Sequence, residues 1–255
     1  MAKLDESKKV IVEGDFLSEG YLILRSFFDA KEIAYIYDSL RKNEASTINK
    51  IKNLIDIGQF NKSDVGIESD SFKYLKHANV WFNDISKLIN LRLMTEVAKL
   101  IGDQNYISSL ELHQKFPGVS GTPPHQDNFY FGLDLEKNLS CTAYIALNEQ
   151  TENQGGLGFY SGSHLKLFNH HKSKVIGFSS GINQEDLKDF DLYTPKFLPG
   201  DVVLHHCNIV HEAKANNSLS ARSNIAIRIL PSNPQYDNEL KSKYLDFLSQ
   251  SSRVS

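Results

Sequence analysis

From Gly102 onward short runs of β-branched and aromatic residues alternate with Gly, Pro, Asn and Asp, and this texture constrains the fold more than any other feature. The runs cover residues 106–116, 128–133, 140–147, 157–161, 196–198, 202–206, 209–214 and 224–230. Each has the length and composition of a strand, and many short strands separated by turn residues predict a β sandwich or barrel. Ahead of them the pattern is helical. Residues 20–28 are rich in strand formers, and Asp29 with Glu32 three positions on predicts a capping box. The helix it opens has Ile33, Ile36, Tyr37 and Leu40 on its apolar face. A second helix spans 84–101 with Gly102 as its stop, and a last one lies near 238–248. The polar stretch 46–71 fits a helix followed by a mobile loop.

A length of 255 residues suits one hydrophobic core, and no repeat or linker marks a boundary. The expectation is a single domain over 1–255, with a helix-rich part at 1–104, a β core at 105–232 and a C-terminal helix and tail at 233–255. A formal charge of -3 offers no electrostatic case for nucleic acid or anionic lipid, so a small-molecule partner is expected. The first ten residues hold no apolar stretch of signal-peptide length, and no window approaches the ~18 apolar residues that span a bilayer. A cytosolic protein is expected. Cys141 and Cys207 are too few for a disulfide framework and read as small core residues.

The sharpest local feature is His125-Gln126-Asp127, preceded by a loop containing Pro117, Gly118, Gly121, Pro123 and Pro124. On an extended segment residues two apart share a face, which aims an imidazole and a carboxylate at one point. A His-x-Asp pair alone also suits a hydrogen-bonded strand end. The segment 198–211 changes the weighing: Pro199-Gly200-Asp201 launches a strand, and a second short run delivers His211. If the sheet closes, a His from its start and one from its end become neighbours. His125, Asp127 and His211 are then both the metal ligands and the catalytic centre, because two imidazoles and one carboxylate leave open positions on an iron(II) ion. Arg222 follows His211 by eleven positions, and a turn near 216–218 returns its strand beside that of His211. Its planar fork suits a carboxylate, and 2-oxoglutarate has one carboxylate for the Arg and another beside a keto oxygen for the metal.

These residues carry a family resemblance. Asp15 to Tyr21 followed by Phe27-Phe28-Asp29, then His125-Gln126-Asp127 with Tyr130 and Phe131, resemble the phytanoyl-CoA dioxygenase family of 2-oxoglutarate-dependent oxygenases. Asn153 to Leu157, Ser161-Gly162-Ser163-His164, and Gly200-Asp201, His211, Asn217, Ser218 and Arg222 resemble its later blocks. The resemblance implies a double-stranded β-helix, a cupin-like jelly roll, mainly β with flanking helices packed outside. It implies Fe(II), 2-oxoglutarate and O2 as the reacting set, with decarboxylation to succinate and CO2 driving attack on a C–H bond. It also implies roles for Ser218 and for Gln114 beside Lys115 in holding oxoglutarate. In two respects the chain bears on that pattern: Gln154 intervenes before a double Gly, and the retained Asp127 disfavours halogenation.

His164 reads as a loop brace, His205 and His206 as structural or supporting groups, and His170-His171 as solvated surface. The competing readings are a zinc-using hydrolase or lyase, which lacks an H-E-x-x-H motif, and an inactive jelly roll binding a small carboxylate, which would show a broken triad or no Arg. With no basic run for coenzyme A phosphates, the expected reaction is hydroxylation of a small, polar metabolite.

Overall fold

The computed structural model describes residues 10–102, 104–173 and 180–251. In chain order the elements are β1 (Ile11–Glu13), β2 (Tyr21–Arg25), α1 (Ala30–Asp56), β3 (Val65–Glu68), β4 (Ser71–Leu75), α2 (Asn83–Ile101), β5 (Asn105–Lys115) and β6 (Thr122–His125). There follow α3 (Asn128–Phe131), β7 (Cys141–Ala146), β8 (Leu157–Tyr160), β9 (His171–Lys172), β10 (Ser180–Gly181), β11 (Leu192–Tyr193), β12 (Val202–His206), β13 (His211–Ala213), β14 (Arg222–Pro231) and α4 (Asn238–Ser251).

Eight strands form one antiparallel sheet in the order β1-β2-β12-β7-β14-β5-β4-β3, and four form a second in the order β11-β8-β13-β6. The two sheets face each other as a double-stranded β-helix of jelly-roll type. Alternation along the central strands decides the layers. On β14, Ile225, Ile227 and Ile229 join Ala143 and Ile145 of β7 in a core shared with Ile33, Ile36, Ile85, Ile89 and Leu93 of the two long helices. Burying each such Ile is worth roughly 1.5–3 kcal/mol. The opposite face of the large sheet contributes Tyr144, Ala146 and Val203, packed on Leu157 and Phe159 of the small sheet. Among the described residues no helix is long and apolar enough to cross a membrane.

The local signals in the helices act as expected. Asp29 accepts from the Lys31 and Glu32 amides at 2.8 and 3.0 Å, and its own amide donates to Glu32 at 2.8 Å. Gly102 ends α2 with φ +85. Three expectations change. Residues 46–71 hold the end of α1 and a β3–β4 hairpin, and β4 pairs with β5. With β1 and β2 at the other edge, the N-terminal part therefore extends the large sheet as well as covering it. Residues 128–133 do not form a strand: Asn128 bonds both the amide and the carbonyl of Leu133, and Phe129 stacks on His170 and meets Tyr244 and Phe247 edge-on. That packing favours the short helix α3 over the strand propensity of its aromatics. In 196–198 only an isolated bridge from Phe197 to Gln150 forms.

The Gly200-Asp201 corner joins the layers. Asp201, 1 % exposed, accepts from the Ser26 amide at 2.8 Å, the Leu198 amide at 2.9 Å and the Arg25 guanidinium at 2.7 Å. Gly200 has φ +90, and a Cβ there would lie 2.0 Å from the Phe28 carbonyl oxygen. Left-handed backbone and a backbone clash together predict that Gly200→Ala costs about 3 kcal/mol or more. Urea unfolding monitored by circular dichroism measures this, and a loss below roughly 0.5 kcal/mol, as at an ordinary surface site, would contradict the assignment.

Candidate metal centre

β6 ends on His125 and β13 begins on His211, and the two strands are neighbours in the small sheet with these residues in register. Their ring centroids are 4.2 Å apart. Asp127 lies just beyond the strand, in right-handed helical backbone with φ -59 and ψ -35. The turn into α3, and not the two-residue period of an extended segment, therefore brings its carboxylate to the imidazoles. Asp127 Oδ1 stands 3.8 Å from Nε2 of His125 and 3.8 Å from Nε2 of His211. One ligand atom from each of the three residues lies within 4.8 Å of the others.

The surroundings set the chemistry of these donors. His125 Nδ1 meets the Pro123 carbonyl at 2.9 Å and His211 Nδ1 meets that of Ile209 at 3.1 Å. A carbonyl only accepts, so the proton sits on Nδ1 and Nε2 presents its lone pair to the shared point. Burial pushes both imidazoles down to about 4, which keeps them neutral at pH 7. For Asp127 burial acts upward, but the imidazoles of His211, His205 and His125 and the Thr142 hydroxyl outweigh it and hold the carboxyl low. That hydroxyl donates to Asp127 Oδ2 at 2.7 Å, leaving Oδ1 turned to the histidines. Two neutral imidazoles and one carboxylate converging from one side fit a divalent transition metal with open positions.

Further residues support the site, and of these Gln126 and the role of His170 are not legible in the sequence. Gln126 is fully buried and clamps the motif, donating to the carbonyls of Lys166 and Asn208 at 2.7 and 2.6 Å and accepting from the Phe168 amide at 2.9 Å. The Gln126 backbone N–H donates to His170 Nε2 at 3.2 Å. His170, stacked at 4.0 Å on Phe129, is thus a brace beneath the motif and not solvated surface, whereas His171 is exposed. His205 faces the site with its ring 4.7 Å from His211, while His206 turns away toward His164 and Phe16. His164 itself meets the Leu17 carbonyl at 3.0 Å.

The three residues line a cleft of about 230 Å³ that also contains Arg222, Tyr144, Glu111, His113 and Arg228. Arg222 is 7 % exposed and donates to the Gly155 carbonyl at 2.5 Å, and its Nε makes no hydrogen bond. Among the described residues no carboxylate lies within ion-pair distance of it. Lys115 is its registered partner across β5 and β14, and its ammonium donates to the Lys214 carbonyl at 2.5 Å. Burial, and secondarily Arg222, pushes Lys115 down to about 7. Of these two buried bases Arg222 lines the cleft, and a buried cation with no acid beside it suits an entering anion.

Two expected oxoglutarate contacts lie elsewhere. Gln114 is on the opposite face of β5, in a separate cleft with Tyr37, Arg41 and Phe72, because its neighbours His113 and Lys115 take the inward parity. The Ser218 hydroxyl is engaged within its own turn, with the acceptors Asn216 Oδ1 at 2.7 Å and the Ser220 carbonyl at 3.0 Å for its one proton.

Comparison with known proteins gives the family and the fold. The family described as Phytanoyl-CoA dioxygenase (PhyH) matches residues 16–224. A probable alpha-ketoglutarate-dependent hypophosphite dioxygenase of Stutzerimonas stutzeri is 24% identical over 216 residues, covering 82% of this chain and 73% of that one. An ectoine dioxygenase of Sphingopyxis alaskensis is 23% identical over 234 residues, covering 82% of this chain and 71% of its own. The crystal structure of EctD from S. alaskensis with 2-oxoglutarate and 5-hydroxyectoine shares the fold, with a TM-score of 0.65 at 20% identity over 87% of this chain and 76% of that one.

Thr142→Val retains the shape of the side chain and removes the hydrogen bond that orients Asp127. Loss of such a support typically weakens metal binding about 10- to 100-fold, and that is the expected drop in Fe(II) affinity. Anaerobic metal titration of the metal-free protein measures it, and unchanged affinity would show that Thr142 does not orient the carboxylate.

Proposed function

The chain belongs to the phytanoyl-CoA dioxygenase family and is an iron- and 2-oxoglutarate-dependent dioxygenase, and we propose that it hydroxylates a C–H bond of a small, polar metabolite. In this reading His125, Asp127 and His211 hold the iron, Arg222 anchors the distal carboxylate of oxoglutarate, and succinate and CO2 are released. The observation that carries it is the buried, acid-free Arg222 in the same cleft as the three ligand residues.

Iron, when bound, supplies activation of dioxygen coupled to oxidative decarboxylation of oxoglutarate. The chain's own residues do the positioning. The Pro123 and Ile209 carbonyls fix the two imidazoles, and Thr142 fixes the carboxylate, so all three donors are aimed at one point. The Gly155 carbonyl holds one arm of Arg222, and the Tyr144 ring lies 5.9 Å from the guanidinium carbon. The rest of the fork is left for the ligand. A charged group buried without a counterion is costly, and a carboxylate ligand relieves that cost while gaining a charge-assisted pair.

The small cleft and its polar lining support a small substrate, since sites for drug-sized ligands run to about 300–1,000 Å³. Retention of Asp127 supports hydroxylation over halide transfer. The relative whose structure includes 5-hydroxyectoine supports the same outcome.

Truncating one partner of a buried ion pair costs roughly 3–5 kcal/mol, so Arg222→Ala should raise the oxoglutarate dissociation constant about a hundredfold or more. Iron affinity should stay near wild type, and Arg222→Lys should recover only part of the loss because an ammonium lacks the planar fork. Oxoglutarate titrated into the anaerobic iron(II) protein, followed by its charge-transfer band, provides the measurement. Wild-type affinity in Arg222→Ala would place the anchor elsewhere.

A further inference from the structure

At the end of the cleft opposite Arg222 stands a second set of charges that neither the metal nor oxoglutarate uses. Arg222 and Arg228 point from the same face of β14, six residues and so roughly 20 Å of strand apart. Arg228 is in register with Thr142, the residue that holds Asp127, so the Arg228 end of the cleft lies level with that carboxylate. Next to it on β5 is Glu111, whose side chain is 19 % exposed.

Glu111 is loosely paired. Arg228 is 3.8 Å from its Oε1, His113 Nε2 is 3.4 Å from its Oε2, and the Ser109 hydroxyl is 3.3 Å from Oε1. A locked pair in this chain looks different: Arg25 and Asp201 meet at 2.7 Å. Burial acts upward on Glu111, but His113, Arg228 and Lys76 outweigh it and keep the carboxyl ionised. Arg228 is likewise held without being consumed, with its guanidinium carbon 4.5 Å over the Phe131 ring on α3, four residues after Asp127. The cleft therefore presents an acid with unused acceptor sites and a preorganised base, side by side, within the reacting space.

A substrate with only a negative charge would be attracted by Arg228 and repelled by Glu111, and a purely cationic one would meet the reverse. Both charges are matched only by a molecule that carries both. We infer that the substrate is a small zwitterion, bound through its cationic nitrogen at Glu111 and its carboxylate at Arg228; this rests on the dioxygenase reading of the triad and Arg222.

The test is calorimetric titration of the anaerobic iron(II) protein saturated with oxoglutarate. The probes are the common α-amino acids with their β- and γ-amino and N-methylated analogues, each set against its N-acetyl and carboxamide counterparts. At least one zwitterion should bind while both of its singly charged counterparts bind far more weakly. Glu111→Gln should weaken that binding about ten- to a hundredfold, as expected for loss of a charge-assisted hydrogen bond. Arg228→Gln should erase the preference for the free carboxylate over the carboxamide. The inference is overturned if the N-acetyl compound binds as well as the parent, if Glu111→Gln has no effect, or if no zwitterion of the panel binds to protein that takes up oxoglutarate normally. Failure of oxoglutarate itself to bind would instead bring down the dioxygenase reading, and this inference with it.

Discussion

The pairing of β6 with β13 is the contact on which the rest of the site depends. Residues 86 positions apart in sequence, His125 and His211, become register partners only when the four-stranded sheet closes over the larger one. The strands that bring them there are short, and their stability comes from the layers behind. The buried isoleucines of β14 against the long helices hold the large sheet, and Leu157 and Phe159 hold the small sheet to it. With both sheets fixed, the carbonyls of Pro123 and Ile209 orient the rings, and the first turn of α3 swings Asp127 in beside them. Metal-site geometry is thus a consequence of sheet register, which a one-residue slip would destroy.

Charge is distributed along the cleft with a clear direction. A base without an acid, Arg222, occupies one end, with Lys115 as its register partner behind it; neutral imidazoles and one carboxylate lie between; an acid and a base in loose contact, Glu111 and Arg228, occupy the other end. A buried charge without a partner is costly, and in the proposed reading each is matched by a ligand charge of the opposite sign. Binding free energy is in this way stored in the fold as unsatisfied electrostatics, a pattern concentrated at functional sites.

Local signals carried far in the sequence, and parity did not. The capping box at Asp29 and Glu32 and the stop at Gly102 depend on neighbours a few residues away, so they can be read without the fold. The meeting of His125, Asp127 and His211 and the nearness of Arg222 to them are legible because residue type and spacing limit what such groups can do together. What escaped depends on distant contacts. The aromatics of α3 read as a strand because the packing of Phe129 on His170, Tyr244 and Phe247 is not visible locally. Sequence alone favours Gln114 over its neighbours because the inward face of β5 is set by the distant pairing of Arg222 with Lys115. Glu111 and Arg228 share that dependence, and the braces at Gln126 and His170 require chain segments forty or more residues apart to meet.

The central claim is that His125, Asp127 and His211 hold one iron ion and that oxoglutarate completes the site toward Arg222. A crystal grown anaerobically with Fe(II) and oxoglutarate, with anomalous data collected on both sides of the iron edge, tests it most directly. The account predicts one iron peak within bonding distance of Nε2 of both histidines and a carboxylate oxygen of Asp127, with oxoglutarate density running from that peak to the Arg222 fork. Iron bound at other residues, or oxoglutarate density that does not reach Arg222, would contradict it.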